Sequence, residues 1–310
     1  MLRRLHDLWK VGRSQNPPTR PRVVLAVGDS ISDTKAYITD ASFDCALPDF
    51  SFEAGYRLLG QPGTFETVRT AKSGATARWG QEVVSDDTWW REVRPEVATV
   101  AFGTNELWSG DDSLDSYARN LRGIVDRLAE RGVLPVLVTP PPGLFRPAGP
   151  REVCGRRIEP AERAYEVADF ADVVRQVAAE RSLPVVDVYR RFIGFDRPQA
   201  VPTVWRALGI CRDPSDERTC DRSLWWRTLL GDVAHPCARR CPPGVDIRGM
   251  DLRTDAILRM YRYLERAAME RCRGARPPPA PDGYRWDPAD PLASLRSGPD
   301  RSYCPDPVLE

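Results

Sequence analysis

The stretch RVVLAVGDSIS, residues 22–32, decides the fold. From Val23 to Val27 it is apolar with no polar alternation, as in a strand covered on both faces rather than half exposed. The run stops at Gly28, and Asp29 and Ser30 continue in residue types that favour turns. The same design recurs along the chain. ETVRTAKSG (66–74) reads as a strand leading into a glycine turn, and EVATVAFG (96–103), VLPVLVTPPP (133–142) and LPVVDVY (183–189) read as further buried strands.

Helical periodicity fills the gaps. Leu114, Tyr117, Leu121, Ile124 and Leu128 mark one face, with Ser113 as N-cap and Gly132 as terminator. Val167, Phe170, Val174 and Val177 mark a second, and Ile257, Met260, Leu264 and Ala268 a third near 251–272. FEAGYRLLG (52–60) is a shorter helix candidate. Buried strands alternating with amphipathic helices predict an α/β fold, a three-layer α/β/α sandwich around a parallel sheet.

Outside this alternation lie a polar N-terminal arm (1–21), a segment of fading periodicity (190–230) that reads as an insertion within a single domain spanning 22–272, and a Pro-rich C-terminal tail (273–310). The tail carries too much Pro, Asp and Arg to build a core. No internal repeat is visible. A formal net charge of +1 gives no electrostatic case for nucleic acid or an anionic membrane. No apolar run is long enough to span a bilayer, and the first residues hold no apolar segment of signal-peptide type. The oligomeric state is not legible. The eight cysteines (45, 154, 211, 220, 237, 241, 272 and 304) crowd Pro-, Arg- and Asp-rich stretches. Free cysteines prefer burial, so disulfides and an extracytoplasmic home are expected, with Cys211–Cys220 and Cys237–Cys241 as local pairs. Free thiols in the cytoplasm are the alternative.

In open α/β sheets, ligands gather beyond the carboxyl ends of the strands. The loops there hold Ser30, Gly74 and Asn105, and late in the chain LLGDVAHPCARRC (229–241) holds Asp232 and His235. His235 is one of only two histidines, the other being His6 in the N-terminal arm. A serine hydroxyl needs an adjacent base to act as a nucleophile, an imidazole can take that proton and return it, and an aspartate can hold the imidazole's tautomer. Two other readings of His235 stay open. It could be a buried histidine satisfied by Asp232, or His235, Cys237 and Cys241 could ligate zinc, although no fourth ligand is evident.

In chain order, GDSIS, AKSGAT, GTNE and DVAHP resemble the blocks of the SGNH (GDSL-like) hydrolase superfamily over about residues 22–270. The resemblance implies the α/β/α fold and a serine esterase working through an acyl-enzyme. It makes Ser30 the nucleophile, Asp232 the orienting acid and His235 the base, with the Ser30 and Gly74 N–H groups and the Asn105 amide as oxyanion donors. It implies no cofactor and no metal, and a small-molecule, carbohydrate or lipid ester as substrate. An acyltransferase, a thioesterase or a non-catalytic binding module could use the same scaffold. Two positions depart from the pattern: Lys72 stands where an asparagine is common, and Glu106 where an aspartate is common. Trp79 and Trp108, a few residues past the second and third blocks, and Trp225, shortly before the fourth, are candidates for a substrate-binding wall, although most tryptophans pack in cores.

Overall fold

The computed structural model describes residues 22–32, 65–92, 97–109, 113–143, 151–153, 156–158 and 167–193, and residues 95, 219, 236, 249, 252, 253, 256, 257, 259 and 260 besides. The 52–60 helix, the terminal segments, nearly all of the 190–230 insertion, and all eight cysteines with their expected pairings lie outside the described residues.

Strands β1 (Arg22–Gly28), β2 (Phe65–Ala71), β3 (Val97–Ala101), β4 (Leu134–Val138) and β7 (Val185–Val186) form one sheet in the order β2-β1-β3-β4-β7. Every pairing in it is parallel. Strands β5 (Arg151–Val153) and β6 (Arg156–Ile158) form a separate antiparallel pair that the sequence did not suggest. All residues of β3 and β4 are buried, so both faces of the sheet are covered, as the unbroken apolar runs require. The α/β class read from the sequence is the observed one.

Helices α1 (Ala77–Ser85), α2 (Asp87–Glu92), α3 (Glu106–Ser109), α4 (Leu114–Glu130), α5 (Val167–Glu180) and α6 (Val188–Ile193) complete the order. The steps from β2 to β3, β3 to β4 and β4 to β7 all run the same way across the sheet, so right-handed crossovers put their helices on one face. There α4 packs between α1 and α5. Its stripe of Tyr117, Leu121, Ile124 and Leu128 is buried, and the Ser113 hydroxyl accepts from the Ser116 N–H, capping the helix as predicted. Gly132 follows at φ +69°, the left-handed backbone that ends a helix. Late in the chain, Leu252, Arg253, Ala256, Ile257 and Met260 are helical and buried while Arg259 is exposed, as expected of Ile257 and Met260; Leu264 and Ala268 of the same expected face lie outside the described residues.

One strand is shorter than LPVVDVY suggested. Only Val185 and Val186 pair with β4, and α6 begins at Val188. The cause is Asp187, whose buried carboxylate accepts from the Arg190 N–H at 3.0 Å and so opens a helix where the apolar run would have continued as strand.

The register sets up the site. Gly28 is level with Ala71 and Ala101, Ala101 with Val138, and Val138 with Val186. The parallel strands therefore end in one line, and their following loops emerge along one edge.

Candidate active site

At that edge β1 stops because of what Gly28 permits. A Cβ there would lie 2.4 Å from Ser32 Oγ and 2.8 Å from the Ala101 carbonyl oxygen. With only a hydrogen in that space the chain turns at once. The Ser32 N–H donates to the Asp29 carbonyl at 3.0 Å and the Ile31 N–H to Asp29 Oδ1 at 2.9 Å. Ser30 sits on this doubly bonded turn and is buried. The turn is pinned from both sides: the Asp29 N–H donates to Ala101, and the Gly28 carbonyl accepts from Lys72.

The second block turns at Gly74, φ +77°, where an added Cβ would meet nothing within 4 Å. Glycine is favoured here by backbone conformation alone. The turn closes with the Ala75 N–H on the Lys72 carbonyl at 3.0 Å, and α1 starts three residues after Gly74. Lys72 itself is exposed. Gly80 lets α1 sit close on the end of β3, since a Cβ there would come 2.5 Å from the Phe102 ring.

The third block joins the second. Asn105 Nδ2 donates to the Ala75 carbonyl at 2.9 Å. Glu106 has both oxygens engaged: Oε1 accepts from the Ala77 N–H at 2.7 Å and Oε2 from the Gly103 N–H at 2.9 Å. The residue that departs from the family pattern is thus a clamp between the start of α1 and the loop after β3. Burial pushes its carboxyl up to about 8, against the pull of the Ala77 N–H and with a smaller push from the charge of Asp29. Burial also raises Asp29 to about 6, opposed by the Ile31 N–H and the positive field of Arg253. Beneath them the Tyr117 hydroxyl donates to the Phe102 carbonyl at 2.9 Å, and its ring meets Phe170 edge-on. Burial and the two nearby carboxyls keep that phenol protonated.

The structure thus brings Ser30, Gly74 and Asn105 to one edge in three interlocked loops. Asp232, His235 and Trp225 lie outside the described residues, as do the cysteines of the zinc reading; Pro236, next to His235, is buried. Among the described residues no group of His, Cys, Asp and Glu could hold a metal ion, and no helix is long and apolar enough to cross a membrane. Trp79, on α1, is half-buried and packs against the core; Trp108 lies on α3. Sequence reasoning missed Arg253. It is 7% exposed, and its Nη2 donates to Ser32 Oγ at 3.2 Å. Burial lowers it to about 10, which leaves it charged at neutral pH beside Asp29.

The chain belongs to the GDSL-like lipase/acylhydrolase family, whose model matches residues 26–236. That span holds all four blocks. No curated protein matches the sequence. Among solved structures, a GDSL-like lipase candidate from Parabacteroides merdae is 18% identical, with 78% of this chain and 96% of that one covered and a TM-score of 0.50. The alpha/beta hydrolase LAE5 from the Lake Arreo metagenome is also 18% identical, with 79% and 97% covered and a TM-score of 0.48. Axe2, an acetylxylan esterase from Geobacillus stearothermophilus, is 18% identical, with 78% and 94% covered and a TM-score of 0.47. At such identities a likeness concerns the fold alone, and it is the Parabacteroides protein that supports the parallel α/β architecture.

Proposed function

We propose that the chain is a serine esterase that cleaves carboxylic esters through an acyl-enzyme on Ser30. The observation that carries this reading is the interlock of the three loops, above all the Asn105 amide bonded to the carbonyl of Ala75, next to Gly74. An amide nitrogen has two hydrogens. Ala75 takes one, and the second is the donor assigned to the oxyanion. The N–H groups of Ser30 and Gly74 supply the others.

In this reading Ser30 Oγ attacks the ester carbonyl carbon while His235 accepts its proton, and Asp232 holds the imidazole in the required tautomer. The tetrahedral oxyanion collapses, the alkoxide leaves with the proton from His235, and water repeats the sequence to release the acid. Each oxyanion donor contributes about 2.7–4 kcal/mol to the transition state. The substrate is a neutral ester with a short-to-medium acyl group, received along the tryptophan-bearing helices that follow the second and third blocks and along the Trp225 segment. We also place the chain in an oxidising compartment with Cys211–Cys220 and Cys237–Cys241 bridged, which peptide mapping without reduction tests; free thiols at all four would contradict it.

The test of the activity is turnover of p-nitrophenyl esters from acetate to decanoate. Ser30→Ala is expected to fold and to lose at least about 10³-fold in kcat, in line with loss of a nucleophile. Activity should rise with pH through the ordinary imidazole range, about 6.5, as His235 loses its proton. Wild-type turnover by folded Ser30→Ala protein would overturn the reading.

A further inference from the structure

Ser32 lies two residues past Ser30, and its side chain sits directly over the Gly28 backbone, where a Cβ would meet Ser32 Cβ at 2.8 Å. The hydroxyl accepts from Arg253, 221 residues away in the chain. That arginine lies on the buried face of the late helix, with Leu252, Ala256, Ile257 and Met260 buried on the same element. A buried guanidinium is costly unless it is paired and hydrogen-bonded. The negative charge acting on it is that of Asp29, the residue just before Ser30, whose carboxyl Oδ1 accepts from the Ile31 N–H. Arg253 thus acts on both sides of Ser30, on Asp29 through charge and on Ser32 through a hydrogen bond. Among the described residues, the other ionisable groups facing Asp29 are Glu106 on α3 and Tyr117 on α4. Neither is cationic.

We propose that Arg253 is a positioning residue for the nucleophile: buried on the late helix, it fixes the Ser30 turn through Ser32 and Asp29, and so ties the first block to the part of the chain that follows His235. This rests on the esterase reading given above. In this role Arg253, buried at 7% exposure, acts on the reaction through its two neighbours. Its removal should leave the mouth of the site unchanged while loosening the attacking oxygen.

The experiment compares Arg253→Met, Arg253→Lys, Ser32→Ala and the double variant Asp29→Asn/Arg253→Met, with rates normalised to sites titrated by a serine-reactive phosphonate. Titration removes the effect of misfolded protein from the count. Arg253→Met is expected to lose at least tenfold in kcat with KM within twofold of wild type, and Arg253→Lys to recover most of that loss. Ser32→Ala should lose several-fold in kcat. The double variant should be less impaired than the product of its single effects, because Asn at position 29 no longer strands a buried charge. Arg253→Met with wild-type kcat per titrated site, or with a loss confined to thermal stability, would overturn the proposal. If Arg253→Met does not fold, Arg253→Lys and Ser32→Ala decide: wild-type kcat per titrated site in both overturns it. Phosphonate that does not label Ser30 in the wild-type protein would instead remove the esterase reading.

Discussion

A methyl group at Gly28 would stand 2.4 Å from Ser32 Oγ and 2.8 Å from the Ala101 carbonyl, and neither neighbour can retreat easily. The carbonyl is strand backbone, and Ser32 is held by Arg253. Gly28→Ala is therefore expected to shift the Ser30 turn. A displacement on the order of 1 Å costs about 10²-fold in rate, and overpacking of this kind costs about 1–3 kcal/mol of stability. Ester turnover and urea unfolding together check it. Glu106→Gln is expected to cost about 1–3 kcal/mol, because one amide end must face an N–H donor at Ala77 or Gly103 that it cannot satisfy. Both positions could be seen in the sequence, one as the glycine ending an apolar run and the other as a departure from a pattern. What Glu106 does could not, because its second partner lies 29 residues away. Arg253 left one trace. It shares a helical face with Ile257 and Met260, and a cation on an apolar stripe asks for a buried partner.

Strands β1, β3 and β4 were legible because each is apolar almost throughout, β2 through the glycine turn at Gly74 into which it leads, and α4 because its stripe, cap and terminator agree. The failures have a common cause in length. Helices α2 and α3 have six and four residues, too few for a 3.6-residue period to show. The β5–β6 pair is built from three-residue strands rich in arginine, which carry no apolar signal. At the end of β7 a single side chain overrode the apolar run. The Asp187 carboxylate takes two hydrogen bonds from the Arg175 guanidinium, both at 2.8 Å, besides capping α6. The Asp187 side chain is fully buried and that of Arg175 is 13% exposed. Arg175 also pairs with the exposed carboxylate of Asp172, so loss of Asp187 removes its buried charge-assisted hydrogen bonds rather than all compensation, at a cost of about 1.5–3 kcal/mol. Asp187→Ala should therefore lower stability by about that amount, measured by denaturant unfolding, whereas Ser113→Ala, which removes only a helix cap, should cost about 1 kcal/mol.

At the scale of the whole molecule, the parallel sheet converts sequence order into convergence. The loops that carry Ser30 and Asn105, far apart in the chain, emerge at one edge because their strands end level, which is why the site loops could be read from the sequence as the segments after apolar runs. The bonds that lock those loops could not be read, since they depend on close approach between elements. The same buried edge leaves a signature in pH. Glu106 is raised from an ordinary 4.5 to about 8, so the folded state keeps a proton that the unfolded chain gives up. That contribution is fully present below about 4.5 and is lost as pH rises through about 8. Asp29 acts in the same direction between 3.8 and about 6. The stability of wild type relative to Glu106→Gln should therefore shrink as pH rises from about 5 to about 8, by an amount that urea midpoints at several pH values record. A difference independent of pH would mean that Glu106 is ionised throughout.

The assignment of Ser30 as the proposed nucleophile is tested by mapping the covalent product of inactivation by a serine-reactive phosphonate. Inactivation should track one adduct per chain, found on the peptide that carries Ser30, with ester turnover falling in proportion to its occupancy. Full inactivation with Ser30 unmodified, or full turnover with Ser30 modified, would contradict the account.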